Sequence, residues 1–105
     1  MCEYKILHQS ENGCVILCKQ CSNIRLLFST VSIDLTETQF YEFKDAIAQY
    51  VELNQFRPAH QRSIYIPTSA VAIHLLYSQN DLKELTEILE DAYLSLEVEK
   101  LMAEI

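Results

Sequence analysis

The sequence has few residues that interrupt regular structure: its 105 residues include one glycine, two prolines and no tryptophan. With Gly13 as the single glycine, glycine-rich loops that bind phosphate are excluded, and neither Gly-x-Ser-x-Gly nor His-Glu-x-x-His occurs. So little proline and glycine leaves no flexible linker. Half of the residues are hydrophobic and 22% are charged, so we expect one folded domain over residues 1–105.

Basic charge is also scarce, because eight lysines and arginines stand against fifteen acids, for a net charge of −7. Residues 78–105 alone carry eight acids and two bases. Affinity for nucleic acid or for an anionic membrane surface depends on clustered basic residues. Neither is therefore expected as a partner.

Targeting and membrane-spanning segments are not expected either. Residues 1–13 lack the basic start and the long apolar run of a signal peptide. The longest uncharged run, residues 63–80, is interrupted by Pro67, His74 and two amides. We therefore expect a cytoplasmic protein, whose four cysteines are thiols or metal ligands rather than disulfides.

Two stretches carry the start signals of amphipathic helices. In LTETQF, Thr36 is a capping residue and Gln39 lies at the third helical position, and Ser78 and Asp81 repeat this arrangement in YSQNDL. The two stretches align without a gap at an offset of 42 residues. Strand-like segments precede both, at residues 24–28 and 31–35 and at residues 64–66 and 73–77.

The chain is therefore predicted to be an α+β domain built from two tandem strand–strand–helix units. The first unit covers about residues 1–56 and includes an N-terminal hairpin over about Tyr4–Leu17, and the second covers about residues 57–105. We expect an antiparallel sheet with the two helices on one face.

Three of the four cysteines lie in the stretch CVILCKQCSN, residues 14–23. A redox Cys-x-x-Cys places its reactive thiol at a helix start, and no helix signal follows Cys18, which disfavours redox catalysis. In an extended strand Cys14 and Cys18 are roughly 13 Å apart, too far to share one ion. The hairpin should bring Cys2 to the end that holds Cys18 and Cys21, and His8 to the end that holds Cys14.

The candidate metal ligands are therefore Cys2, Cys18 and Cys21, and zinc is the candidate cofactor. Asn23 is expected to take the left-handed backbone that follows a zinc knuckle. The fourth ligand would be water, His60 or a residue of a second chain. The alternative is a thiol-lined turn without metal, in which cysteine acts as a small buried hydrophobe.

The C-terminal segment predicts a long helix, since no proline or glycine interrupts residues 79–105. One apolar stripe faces the core, formed by Leu82, Leu85, Leu89, Ala92 and Leu96. A second stripe lies on another face, formed by Leu94, Val98, Leu101, Met102 and Ile105. Apolar residues that project beyond a core indicate an interface, so we expect a homodimer through this tail. The alternative is a tail that folds back onto the core or frays.

The segments MCEYK, CKQC, IRLLF, IYIPT, LLYS and DLKELTEILEDA together resemble a small uncharacterised bacterial domain family. The resemblance covers nearly the whole chain, implies no activity and points to Cys2, Cys18 and Cys21. A zinc ribbon is a weaker resemblance, because a second Cys-x-x-Cys is absent.

The leading hypothesis is a non-enzymatic protein-interaction or regulatory module that forms a homodimer. A zinc-binding module is the alternative. A thiol-dependent or hydrolytic enzyme comes third, with no catalytic residue indicated by a motif.

Overall fold

The first part of the chain forms a four-stranded antiparallel meander. The computed structural model describes residues 3–68, 70 and 72–103. Its elements in chain order are β1 Tyr4–Gln9, β2 Gly13–Cys18, β3 Ile24–Phe28, β4 Val31–Leu35, α1 Glu37–Leu53, β5 Ile64–Pro67, β6 His74–Tyr77 and α2 Gln79–Ala103. Neighbours in sequence pair to give the order β1-β2-β3-β4, and β5 pairs with β6 in a second, two-stranded sheet.

The four-stranded sheet buries one face, and β3 shows this most clearly. Ile24, Leu26 and Phe28 are buried, whereas Arg25 and Leu27 between them are exposed. This alternation is what an antiparallel strand with one solvated face requires.

A β-bulge interrupts the alternation in β1. Ile6 lies opposite Ile16 and His8 lies opposite Val15, so Leu7 is an extra residue in the ladder. Directly opposed residues share a face of the sheet, and Val15 is fully buried. The bulge therefore turns His8 to the buried side, where the helices pack.

Both helices begin with the capping arrangement that the sequence predicts. The Thr36 hydroxyl accepts a hydrogen bond from the Gln39 backbone N–H at 3.2 Å, and the Gln39 side chain accepts one from the Thr36 N–H at 2.9 Å. Ser78 and Asp81 reproduce the pair at 3.1 and 2.9 Å. The two predicted helix starts are confirmed.

The two units also match in their strand pairing. Ile24 lies opposite Leu35 in the first unit, and Ile64 lies opposite Tyr77 in the second. The later strands correspond at an offset of 42 residues (Leu35 to Tyr77) and the earlier strands at 40 (Ile24 to Ile64), because the paired positions are 13 residues apart in the second hairpin and 11 in the first. The tandem strand–strand–helix organisation is confirmed.

One hydrophobic core joins the two units. Helix α2 packs on β1, β2 and β6 and against α1, and α1 contacts β4. Both helices and the buried residues of the first three strands belong to the same cluster, so the helices lie on one face of the four-stranded sheet. The core stripe predicted for α2 is buried throughout, at Leu82, Leu85, Leu89, Ala92 and Leu96.

The α+β class and the N-terminal hairpin are thus confirmed, and the second pair of strands forms its own hairpin within the described residues. Its link to the larger sheet is a side-chain contact, since the rings of Phe28 and Tyr77 meet edge to face with centroids 5.6 Å apart. Hydrophobic periodicity identifies a strand but not the strand with which it pairs.

Candidate functional site

The Cys-x-x-Cys forms a tight turn between β2 and β3. Cys18 ends β2 and is 3% exposed, whereas Cys21 is exposed. The Cys18 carbonyl accepts a hydrogen bond from the Ser22 N–H at 2.8 Å, and the Cys18 N–H donates to the Asn23 carbonyl at 2.9 Å. These two bonds close the chain around the cysteine pair.

The turn has the hydrogen bond that a knuckle supplies to a metal-bound sulfur. The Cys21 backbone N–H lies 3.4 Å from the Cys18 sulfur and points at it. The left-handed residue is Ser22, with φ of 63°, and not the expected Asn23. The reversal thus comes directly after Cys21, and a left-handed backbone costs a residue with a side chain about 1 kcal/mol.

Cys18 is disulfide-bonded, which corrects the expectation that all four cysteines are thiols or metal ligands. Cys18 is the buried last residue of β2. Cys14 is a free, half-buried thiol opposite Leu27 in the middle of the sheet. Cys14 is therefore separate from the Cys18 turn, as the strand spacing predicts.

The predicted metal set is brought together only in part. The structure places Cys18 and Cys21 in one turn, while the third predicted ligand, Cys2, lies outside the described residues. Among the residues that are described, no group of three His, Cys, Asp or Glu side chains could hold a metal ion. The zinc site stays a prediction.

His60 does not supply a fourth ligand to this turn. Its ring lies 3.1 Å from the Asn80 amide at the first turn of α2. Cys18 instead borders a groove with Leu96 and Ala103, near the other end of that helix. The two ends are separated by roughly 30 Å of helix at 1.5 Å per residue.

The second candidate feature is the outer stripe of α2, which we call the C-terminal stripe. Its described members are all exposed, at 62% for Leu94, 58% for Val98, 62% for Leu101 and 67% for Met102. Ile105, the fifth predicted member, lies outside the described residues. Earlier turns of the same outer face carry acids such as Glu87 instead, so the apolar surface is confined to the last turns.

Charged side chains that border the C-terminal stripe are held by their own chain. Glu99 pairs with Lys5 at 4.0 Å and with Lys19 at 3.9 Å. On the other flank Lys100 pairs with Glu37, and this ion pair, together with the Tyr41 hydroxyl, lowers the pKa of the Glu37 carboxyl.

The Glu97 carboxylate lies 3.1 Å from the Tyr41 hydroxyl and shares its single proton with the Glu37 carboxylate at 2.9 Å, so it is also engaged within the chain. The C-terminal stripe is therefore flanked by charges that already have partners. An apolar surface with such a border can be covered without leaving those charges unpaired.

Comparison with known proteins assigns the chain to a family. A family model described as a family of unknown function, DUF6686, matches residues 1–103. The chain belongs to DUF6686. This confirms the predicted resemblance to a small uncharacterised domain family. No curated protein and no solved structure matches the chain.

DUF6686 is a family of unknown function, so membership assigns no activity to this chain. No helix among the described residues of this DUF6686 chain is long and apolar enough to span a membrane.

Sequence reasoning missed a polar cluster that joins the two ends of this DUF6686 chain. The His8 Nδ1 atom lies 2.6 Å from an Asp91 carboxylate oxygen, and His8 Nε2 lies 2.9 Å from the Ser10 hydroxyl. Eighty-three residues separate His8 from Asp91, so no motif of fixed spacing could reveal the contact. The available signal was a histidine and a serine two residues apart where an apolar strand ends.

Proposed function

We propose that this protein is an interaction module that forms a homodimer through the C-terminal stripe of α2. The observation that carries the proposal is the exposure of four large apolar side chains on successive turns of one helix, at Leu94, Val98, Leu101 and Met102. Exposed apolar surface of this kind, bordered by polar residues, is typical of protein–protein contacts.

The spacing of the stripe supports a second copy of the chain as its partner. Leu94, Val98, Leu101 and Ile105 follow one another at intervals of four, three and four residues. This is the seam spacing by which two helices interlock side chains. A seam of this kind is self-complementary, so one surface serves both copies of a two-fold dimer.

Charge on the same helix favours an antiparallel pair. The positions that precede Leu94 in the seam spacing are Glu87 and Asp91, and a parallel pair would bring each acid against its own copy. In an antiparallel pair centred near Val98, the C-terminal stripes of the two copies overlap. The acidic segments that precede the stripes then lie at opposite ends of the pair. The contact is short against the roughly 800 Å² per partner of a standard interface, so we expect a dissociation constant of about 10–100 µM.

A concentration series measured by sedimentation equilibrium tests the dimer. The natural protein should pass from monomer to dimer between about 1 µM and 1 mM, since this range brackets the expected dissociation constant. The variant Val98→Glu places a charge in the seam and should remain monomeric over that range. Leu53→Glu is the matched control, because Leu53 is 76% exposed at the end of α1, outside the C-terminal stripe. Identical masses for Val98→Glu and the natural protein would refute the proposal.

A zinc-binding module is the second candidate, supported by the amide of Cys21 that points at the Cys18 sulfur. In the reduced protein, Cys18 and Cys21 would bind zinc with Cys2 as the third ligand, since zinc takes thiolates in a tetrahedral set. The turn borders the last turns of α2, so metal binding there would stabilise the segment that carries the stripe.

Metal content after purification under reducing conditions tests this candidate. We expect about one zinc per chain for the natural protein, and a loss of most of that zinc in Cys21→Ser. Cys14→Ser is the matched control, because Cys14 lies in the middle of the sheet, and it should keep the metal. Zinc far below one equivalent in the natural protein, at the level of Cys21→Ser, would exclude the site.

A further inference from the structure

The β1–β2 hairpin and α2 bring a serine, a histidine and an aspartate into line. The Ser10 Oγ lies 2.9 Å from His8 Nε2, and His8 Nδ1 lies 2.6 Å from Asp91 Oδ2. We propose that Ser10, His8 and Asp91 form a hydrolytic site that acts on esters bearing a positive charge. This activity is distinct from the dimer, since its three residues lie on the hairpin and at the middle of α2 rather than in the C-terminal stripe.

The proposed step requires the His8 tautomer that carries its hydrogen on Nδ1. An ionised carboxylate only accepts hydrogen bonds, so His8 Nδ1 carries the hydrogen that it donates to Asp91. In the neutral ring, Nε2 then has a lone pair and accepts from the Ser10 hydroxyl. The competing acceptor of that hydroxyl, the Gly13 carbonyl, is farther away at 3.4 Å. This is the arrangement by which a histidine activates a serine and a carboxylate orients the histidine.

Two features of the fold build this arrangement. The β-bulge at Leu7 turns His8 to the helix side of the sheet, where Asp91 can reach it. Gly13 lets α2 come close to the hairpin, because a Cβ atom there would lie 2.6 Å from the Ile88 side chain. Ile88 is one helical turn before Asp91. The bulge at Leu7 and the missing side chain of Gly13 thus both allow the contact between His8 and Asp91.

The hydroxyl faces an open groove that can admit a substrate. Ser10 and His8 line a groove of about 540 Å³ between the hairpin tip and the first turns of α2, a volume that holds a small organic molecule. Ser10 is exposed, so its oxygen is accessible to a carbonyl carbon. Asn12, Asn80 and Lys83 also line the groove, and their side chains carry N–H donors of the kind that stabilise a carbonyl oxygen as it becomes negative.

The charge of the groove selects the substrate class. Glu11, Glu84 and Glu87 line it together with one base, Lys83, and Asp91 stands behind His8. Carboxylates concentrated around one opening attract cations and repel anions. An ester with an ammonium group in its acyl part is therefore the expected substrate, and a carboxylated ester should be disfavoured.

The proposed step is acyl transfer with a balanced proton. The Ser10 oxygen forms a bond to the ester carbonyl carbon while its proton passes to His8 Nε2, and the carbon–oxygen bond to the leaving alcohol breaks as His8 returns that proton. Water then attacks the acyl-serine by the same route, releasing the acid and restoring the hydroxyl. Asp91 is a positioning residue, since it acts through the His8 ring.

Three p-nitrophenyl esters test the site directly, with 4-(trimethylammonio)butanoyl, hexanoyl and succinyl as the acyl groups. We expect release of p-nitrophenolate, and peptide mapping of the quenched reaction should place the acyl group on Ser10. The cationic ester should react about tenfold faster than the neutral one at low salt, and this preference should shrink in 0.5 M sodium chloride.

The variants separate catalysis from folding. Ser10→Ala should abolish the acyl adduct and His8→Gln should slow its formation at least about a hundredfold, while Ser32→Ala, at an exposed serine of β4, should leave it unchanged. Asp91→Asn should lower the maximal acylation rate without changing the ester concentration at half-saturation, which a merely structural role would not do. Far-ultraviolet circular dichroism confirms that each variant is folded. An adduct that survives Ser10→Ala, or a rate indifferent to His8→Gln, overturns the site, and a preference for the succinyl ester overturns the substrate class.

Discussion

At the residue scale, Gly13 determines how closely the β1–β2 hairpin packs against α2. Gly13 is the only glycine of the chain, and it does not have a positive φ. Its value lies in its missing side chain, because a Cβ atom would meet Ile88 Cδ1 at 2.6 Å and the Leu27 carbonyl oxygen at 3.2 Å. The turn of the N-terminal hairpin is formed by the three residues before Gly13, because β2 begins at Gly13 itself.

Gly13→Ala should therefore lower the free energy of unfolding by about 1–3 kcal/mol, as is usual when a close-packed contact is overfilled. Ile88→Val removes the Cδ1 atom that the new methyl would strike. The double variant should be more stable than the sum of the two single effects by about 1 kcal/mol. Urea unfolding of all four proteins measures this coupling. Strictly additive effects would show that the contact does not limit the approach of the helix.

At the level of elements, the sequence patterns correctly predicted the features that depend on neighbouring residues, such as helix caps and the Cys-x-x-Cys turn. Thr36 and Ser78 cap their helices as expected, because a capping box is written within four consecutive residues. The knuckle turn was placed correctly but its left-handed residue was not, since Ser22 and Asn23 are both polar and only the closed hydrogen bonds distinguish them.

Contacts between elements that are distant in the chain could not be predicted from local sequence patterns. The separate β5–β6 hairpin and the bulge at Leu7 arise from packing, and a bulge shifts the face of a strand without altering its composition. The same holds for the meeting of His8 and Asp91. For this reason the metal ligands could be proposed from spacing, whereas the Ser10 cluster could only be seen in the fold.

The ion pair between the start of α1 and the last turns of α2 makes stability depend on pH. Lys100 and Tyr41 lower the pKa of the Glu37 carboxyl below its ordinary 4.5. A carboxyl whose pKa is depressed in the folded state stabilises the protein above its unfolded pKa, and this contribution is lost as pH falls through the folded pKa.

Glu37→Gln should accordingly reduce the free energy of unfolding at pH 7, by less than about 1 kcal/mol because both side chains are partly exposed and screened. The difference from the natural protein should be smaller at pH 3 than at pH 7, because the contribution is lost as pH falls through the folded pKa. Glu52→Gln, on an exposed position of the same helix, is the matched control and should have little effect at either pH. Urea unfolding at the two pH values provides the measurement. A difference that grows on acidification would contradict the pKa shift.

At the scale of the whole molecule, shape and charge act on the proposed dimer in opposite senses. The long axis of the structure is 46 Å, and α2 covers about 37 Å of length at 1.5 Å per residue. The described residues of the C-terminal stripe on this helix are exposed, so the stripe is accessible to a second copy. Each copy nevertheless carries a net charge of −7, so two copies repel one another at a distance.

Salt should consequently strengthen the dimer. The seam is apolar and its flanking charges have partners within the chain, so added ions screen the repulsion between copies without weakening a cross-chain ion pair. We expect the dissociation constant to fall by about threefold to tenfold between 0.02 and 0.5 M sodium chloride, measured by sedimentation equilibrium at pH 7. An interface built on charge complementarity would show the reverse, and weaker association at high salt would therefore exclude the apolar stripe as the surface that joins the two copies.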